Sequence, residues 1–330
     1  MFLKKYAPFI IILLIIFSCS KEEPKRNYTL KGSVFGTSYK IVYLNASKNY
    51  QNSIDSLFFL MNTSLSTYIP VSGISKINKG DTTVVVDDLF LEVFEKSKKI
   101  HGETDGYFDP TVGNLVNAWG FGPKKEKKNL TDLEVKDQMQ FVGLEKVEIK
   151  NRKVFKESPQ IYLDFNSIAK GFGIDVLARF LNSKKVNNYL IEIGGEIRTK
   201  GTKMDNVPWA IKLVDPIEKD QFDGYKNINL SNKSMATSGN YRKYRYSESG
   251  QKFVHTINPK TGKATESNLL SASVIANLDC ADVDAYATAF MAMGLKKTIE
   301  FLGKHKNIDA ILLFTDEEGR LKEYNTTTFN

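Results

Sequence analysis

Cysteine is nearly missing from this 330-residue chain, which has only Cys19 and Cys280. Cys19 closes an N-terminal apolar run, so no internal disulfide framework is expected. The fold must rest on a hydrophobic core, and a body of about 300 residues is long enough to bury a large one. No internal repeat or low-complexity block is present, which excludes a stacked-repeat architecture. No Gly-x-Gly-x-x-Gly fingerprint follows a strand pattern, which counts against a Rossmann dinucleotide site. The apolar stretch that ends over Ile10 to Phe17 is too short for a confident membrane span. Histidine is also scarce, with His101, His255 and His305 alone.

The first residues, "MFLKKYAPFIIILLIIFSCSKEE", have the order of a lipoprotein leader. Lys4 and Lys5 form a basic start, an apolar run follows, and Ser18-Cys19 ends it. Cleavage before Cys19 would free a thiol for acylation, and several acyl chains anchor stably where one does not. An uncleaved N-terminal anchor is the alternative. Residues 1–18 are therefore read as a signal peptide, 19–30 as lipidated cysteine and polar tether, and 31–330 as one domain. Both readings place the body in the bacterial cell envelope, facing the periplasm, with the membrane itself undetermined. The formal charge is +8, and loss of Lys4 and Lys5 with the leader leaves +6. The basic run "KKEKK" at 124–128 reads as a solvated loop, and no nucleic-acid partner is expected. A mild positive field would still favour an anionic ligand or a membrane surface.

Strand and helix patterns alternate without a regular βαβ rhythm. "SVFGTSYKIVYL" (33–44), "YLIEI", "EIRTKG", "WAIKLVDP" and "LLSASVIA" read as strands, and "KFVHTINPKTGKAT" and "AILLFTDEEGRLKEY" as strands and hairpins. "NSIDSLFFLMNTSL" (52–65) and "DLFLEVFEKSKKIHG" (88–102) have helical spacing, with Gly102 as a stop. Thr131 and Glu134 form a capping box that opens a helix to about Phe141. "KVEIK" and "KVFK" form a hairpin turning at Asn151-Arg152, and "QIYLDF" is a strand that feeds a helix. The fold class is thus α+β, with mixed, mostly antiparallel sheets and packed helices, rather than a doubly wound parallel sheet.

The densest chemistry lies in "LDCADVDAYATAF", where Asp279, Asp282 and Asp284 head an alanine-rich helix. Acidic residues there can simply cap the helix and complement its dipole. Alternatively, Asp284 and Thr288, four apart on one face, offer a carboxylate and a hydroxyl to one hard cation such as magnesium or calcium. Asp279 and Asp282 are read as capping or surface groups. "LDFNSIAKGFGID" places Asp164 before a turn and Lys170 between small residues at a helix start, an arrangement that suits an anion or an ordinary capped junction. "TDGYFDPTVGNLVNAWGFGP" reads as a loop walling a planar ligand, with Tyr107, Phe108 and Asp109, and Tyr68 offers a further aromatic wall. For each of these aromatics alone, core packing is the plainer reading. "MATSGNYRKY", with Arg242 and Arg245, suits phosphate or ribose contacts or a solvated turn. His255, before an Asn-Pro turn, is either structural or a general base, and His101 and His305 have no supporting motif.

Nine segments in order, "VFGTSY", "STYIPVSGISKIN", "TDGYFDPTVGNLVNAWGFGP", "LDFNSIAKGFGIDVLA", "YLIEIGGEIRTKG", "WAIKLVDP", "MATSGNYRKY", "HTINPKTG" and "ADVDAYATAFMAMG", together resemble the ApbE family of FAD:protein FMN transferases over residues 32–295. The resemblance implies magnesium-dependent cleavage of FAD, transfer of its FMN half to a threonine hydroxyl of an acceptor protein, and release of AMP. It implies metal ligation by Asp284, Thr288 and the Ser167 carbonyl, and flavin-nucleotide contacts at Phe35, Tyr68, Phe108, Asp109, Asp164, Lys170 and Ile257. "VDAYAT" stands where "ADALAT" is commoner, and Ser167 where glycine or alanine is usual; neither change removes a donor. His255 is the candidate to accept the threonine proton. The implied acceptor is a membrane electron-transfer subunit with a short Ser/Thr-containing motif. Two rival activities share these residues: an FAD pyrophosphatase that uses water, and a lipoprotein that stores flavin without turnover.

Overall fold

The computed structural model describes residues 24–123, 129–214, 226–240, 244–246, 250, 252–264 and 267–326. The expected leader, Cys19, the basic run 124–128 and Arg242 lie outside the described residues.

β1 (Arg26–Val34) and β2 (Thr37–Ala46) form an antiparallel hairpin. One unbroken strand was expected over 33–44, but the chain turns at Phe35 and Gly36, with φ of 52° and 75°. Two successive positive φ values match the twist of the flanking strands. β1 also begins at Arg26, inside the stretch expected as tether.

Helices follow: α1 (Gln51–Leu65), α2 (Gly73–Asn78), α3 (Asp88–Glu103), α4 (Gly113–Ala118) and α5 (Asp132–Met139). Asp87 caps α3 by accepting the Phe90 N–H at 2.8 Å. α3 passes through Gly102 and ends only at Glu103. The Thr131–Glu134 capping box opens α5 as expected, with reciprocal bonds of 2.8 and 3.3 Å. The hairpin β3 (Val147–Lys150) and β4 (Lys153–Lys156) turns at Asn151-Arg152, both at positive φ.

"QIYLDF" is not a ladder strand. Leu163 exchanges two 2.8 Å bonds with the Asn78 side chain, and the Asp164 N–H donates to Pro110 O at 2.8 Å. Tyr162 makes only an isolated parallel bridge to Val112. Its backbone groups are met by a side chain and loops rather than by a sheet.

Then come α6 (Ala169–Ser183), β5 (Tyr189–Ile193), β6 (Glu196–Lys200), β7 (Trp209–Leu213), β8 (Lys226–Leu230), β9 (Ser234–Gly239), β10 (Tyr244–Tyr246) and β11 (Lys252–Val254). The chain closes with β12 (Leu269–Ala276), α7 (Cys280–Met293), α8 (Leu295–Lys304), β13 (Asp309–Thr315) and β14 (Leu321–Asn325). One eight-stranded sheet runs β1-β2-β5-β6-β9-β12-β13-β14, and every neighbouring pair is antiparallel. The α+β expectation therefore holds.

Alternation along the central strands sorts side chains to two faces. Val274, Ala310 and Leu312 join the large core beneath α1, α3, α6 and α7. Ile275, Ile311 and Leu313 point the other way, into a smaller core roofed by the β7–β8 hairpin. α7 is buried almost all round, which an alanine-rich helix allows because its backbone can lie close to β9 and β12. Each large side chain it buries fully, such as Phe290, contributes about 1.5–3 kcal/mol. A third cluster gathers α4 and α5 around Trp119, Phe253 and Ile257 and forms a lobe beside the sheet.

Candidate active site

A cavity of about 530 Å³ is lined by the residues expected to bind metal or flavin nucleotide or to act as base: Phe35, Tyr68, Tyr107, Phe108, Asp109, Asp164, Ser167, Lys170, His255, Ile257, Asp284 and Thr288. They come from the β1–β2 turn, the α1–α2 loop, the segment before α4, the segment leading into α6 and its start, the segment after β11, and α7.

The three aspartates of the acidic stretch go three separate ways. Asp279 precedes α7 but makes no side-chain cap; it takes Lys96 at 2.8 Å and Arg198 at 2.8 Å. Asp282 is buried and pairs with Lys96 at 3.0 Å. Both are ion-pair residues, so the capping or surface reading is corrected. Partial burial would raise the Asp279 carboxyl, but Lys96 and Arg198 outweigh it and hold it at about 2. Asp284 lies past the first turn, where no free helix N–H remains for it to cap. It reaches instead to α6, where it accepts the Gly171 N–H at 3.0 Å.

α6 returns that contact. The buried Asp175 carboxylate accepts the N–H groups of Cys280 and Ala281, each at 2.8 Å, and pairs with Arg198. Each helix start is thus satisfied by an aspartate of the other. Gly171 permits the approach, since a Cβ there would lie 2.3 Å from the Cys280 carbonyl oxygen. This crossing brings Ser167, Lys170, Asp284 and Thr288 to one end of the cavity.

Burial pushes the Asp284 carboxyl above the usual carboxylate range; Lys170 pulls it down, and Glu196 adds to the rise. Lys170 Nζ is 3.9 Å from Asp284 Oδ1 and 2.6 Å from Glu196 Oε1. Thr288 Oγ1 is 3.3 Å from Ser238 Oγ. Among the described residues no group of three or more His, Cys, Asp or Glu side chains could hold a metal. A site here would combine one carboxylate, a hydroxyl and a carbonyl, with the rest of the shell water or substrate. Those are hard oxygen donors, and they fit magnesium, which keeps several waters.

The walls are aromatic. The β1–β2 turn carries Phe35, a bulky residue at positive φ, a costly conformation often kept at functional sites. Its ring meets Phe58 edge-on at 5.8 Å and fits over Gly173, where a Cβ would approach it to 2.7 Å. Phe108 is buried and serves core and cavity together, whereas Tyr68 is 53 % exposed and is no core residue. Both oxygens of Asp109 are engaged within the protein. Oδ1 accepts from Thr111, and Oδ2 accepts from the Leu144 N–H at 3.2 Å and faces His101 Nε2 at 3.3 Å. Asp109 therefore orders its loop as well as lining the cavity.

Other residues depart from the sequence reading. His101, given no role, braces Asp109. His305 stacks on Phe301 at 3.8 Å. "MATSG" is no turn but the central strand β9, and its Ser238 joins the cavity. Arg245 donates to Trp119 O and Asn129 and lies over Phe253, so it braces the α4 lobe. Glu196 was missed; its only sequence signal was a carboxylate directly after Gly194-Gly195.

Solved ApbE structures share this α+β fold. The "Flavin Transferase ApbE" structure from Vibrio cholerae superposes with a TM-score of 0.80 at 33 % identity, covering 93 % of this chain and 99 % of that one. An ApbE protein structure from Thermotoga maritima gives 0.79 at 26 % identity, with 90 % and 96 % covered. The FAD:protein FMN transferase of Vibrio cholerae is 34 % identical over 325 residues, 96 % of this chain and 95 % of that protein. Its Escherichia coli K12 counterpart is 28 % identical, with 94 % and 91 % covered. The ApbE family model matches residues 35–312. The chain belongs to the ApbE family.

Proposed function

We propose that the protein is an FAD:protein FMN transferase that moves FMN onto a threonine hydroxyl of an acceptor protein, with magnesium. One observation carries the reading. The α6–α7 crossing sets a cation, Lys170, beside hard oxygen donors, Asp284 and Thr288, in the lining of an aromatic-walled cavity. The relatives' names and their similarity over nearly the whole length of both chains support it.

The aromatic residues Phe35, Tyr68, Tyr107 and Phe108 offer faces and edges for a flavin ring or adenine. The first turn of α6 and the Lys170 ammonium attract the pyrophosphate. Asp284, Thr288 and the Ser167 carbonyl would hold the magnesium, which when bound screens the pyrophosphate charge and improves AMP as a leaving group. The threonine oxygen forms a bond to the phosphorus of the FMN half as the bond from that phosphorus to the bridging oxygen breaks. AMP departs with the bridging oxygen, and the threonine proton passes to His255. The acceptor is proposed to be a membrane-associated protein with an exposed Ser/Thr segment. A lipid on Cys19 would hold the enzyme beside it on the periplasmic side.

The test is to incubate the full-length protein with FAD, magnesium and a candidate acceptor, then denature. Flavin fluorescence migrating with the acceptor, with AMP in equal amount, is the expected result. AMP and free FMN without labelled acceptor, across acceptors bearing such a segment, would replace transfer by hydrolysis. Bound but uncleaved FAD would leave only storage.

A further inference from the structure

Glu196 opens β6 directly after the Gly194-Gly195 turn, and its side chain is 2 % exposed. Burying a carboxylate is costly unless it is paired. Its Oε1 lies 2.6 Å from Lys170 Nζ, while its buried Oε2 has no hydrogen-bond partner. The glycine lets the turn lie close to Thr37 and to the lysine stem, since a Cβ at Gly194 would stand 2.8 Å from Thr37 Cγ2 and 3.3 Å from Lys170 Cδ. The same ammonium is 3.9 Å from Asp284 Oδ1, longer than its 2.6 Å contact with Glu196.

The charges explain why the difference matters. With both carboxyls ionised, Lys170, Glu196 and Asp284 together carry one net negative charge, which favours a cation at Asp284. With a neutral residue at 196 they would carry none. Lys170 would then keep its ion pair with Asp284, and an ammonium seated on that carboxylate competes with a metal for the same oxygen.

We infer that Glu196 is a positioning residue: it holds the Lys170 ammonium away from Asp284, so that the Asp284 carboxylate stays open to a divalent cation. The inference rests on the reading of Asp284 as a cation ligand and adds the device that keeps a neighbouring lysine from taking its place. Lys170 can then serve the substrate phosphates without neutralising the metal site.

The experiment measures manganese(II) binding to the full-length protein without FAD, from loss of the free-ion electron paramagnetic resonance signal. Glu196→Gln should weaken binding by about 10- to 100-fold, the range for losing a group that orients a ligand. Lys170→Met/Glu196→Gln, which removes both charges, should return close to wild-type affinity. Glu196→Asp keeps the charge, should also bind close to wild type, and serves if the Gln variant does not fold. Equal binding by Glu196→Gln and wild type overturns the inference. So does a double variant as weak as Glu196→Gln, since Glu196 would then act on the cation directly. So does a Glu196→Asp loss as large as that expected for Gln, since shape would then matter rather than charge. Asp284→Ala separates the two levels. If wild type shows no saturable binding that Asp284→Ala abolishes, the metal reading fails first, and this inference falls with it.

Discussion

Asp284 and Asp279 stand five positions apart in one acidic stretch and have opposite duties. Asp279 answers Lys96 and Arg198, so Asp279→Ala should cost about 2 kcal/mol of stability, typical of charged hydrogen bonds, and leave turnover per folded molecule intact. Asp284→Ala should keep the fold yet nearly abolish AMP release from FAD at any moderate magnesium concentration. Thermal melts and AMP assays on the two variants check the contrast, and normal turnover by Asp284→Ala would sink the metal reading. Asp279 also sets a pH signature. Its folded value of about 2 lies below the ordinary 3.8, so its stabilisation is full above about 4 and is lost as pH falls toward 2. Melting temperatures of wild type and Asp279→Asn should converge over that window; a constant gap down to pH 2 would contradict it. For His255, which lines the cavity, His255→Ala should retain FAD affinity and slow transfer by ~10²-fold. An unchanged rate at neutral pH would leave it a structural histidine.

At the scale of elements, the crossing of α6 and α7 is the part that assembles the site. Asp175 holds the first N–H groups of α7 and Asp284 holds Gly171 of α6, so neither helix start is satisfied without the other. Gly171→Ala puts a methyl group 2.3 Å from a backbone carbonyl, with no flexible side chain to yield. It should cost about 3 kcal/mol, as overpacking does, and also lower AMP release by parting Ser167 from Asp284. A melting temperature and turnover equal to wild type would show that the helices part without consequence. Elements with local signals were legible in the sequence: α1 and α3 from spacing, α5 from its capping box, and the β3–β4 hairpin from Asn151-Arg152. The missed elements depend on distant partners. "QIYLDF" has strand composition, yet Asn78, 85 positions away, takes its bonds. "MATSG" has turn composition, yet it is a central strand because small residues let α7 lie against β9.

At the scale of the whole molecule, an antiparallel sheet carries a helical layer on one face and the β7–β8 roof on the other, and the cavity opens beside the α4 lobe. The leader pattern before it makes a separate prediction about place. Wild type should incorporate labelled acyl chains and sediment with membranes, and Cys19→Ala should incorporate none. Equal processing and acyl labelling of both proteins would end the lipoprotein reading.

Strand and helix patterns were enough to read the α+β class, and motif order the family likeness that points to many of the cavity residues, because such features are local in the chain. Residue types do not reveal which partner each side chain takes. Asp279, Asp282 and Asp284 are chemically alike and close in sequence, and only packing sends the first two to lysine and arginine and the third to α6. Glu196 stayed invisible for the same reason. Its value lies in a lysine 26 positions earlier and an aspartate 88 positions later, and these meet only when the sheet and the helix crossing form.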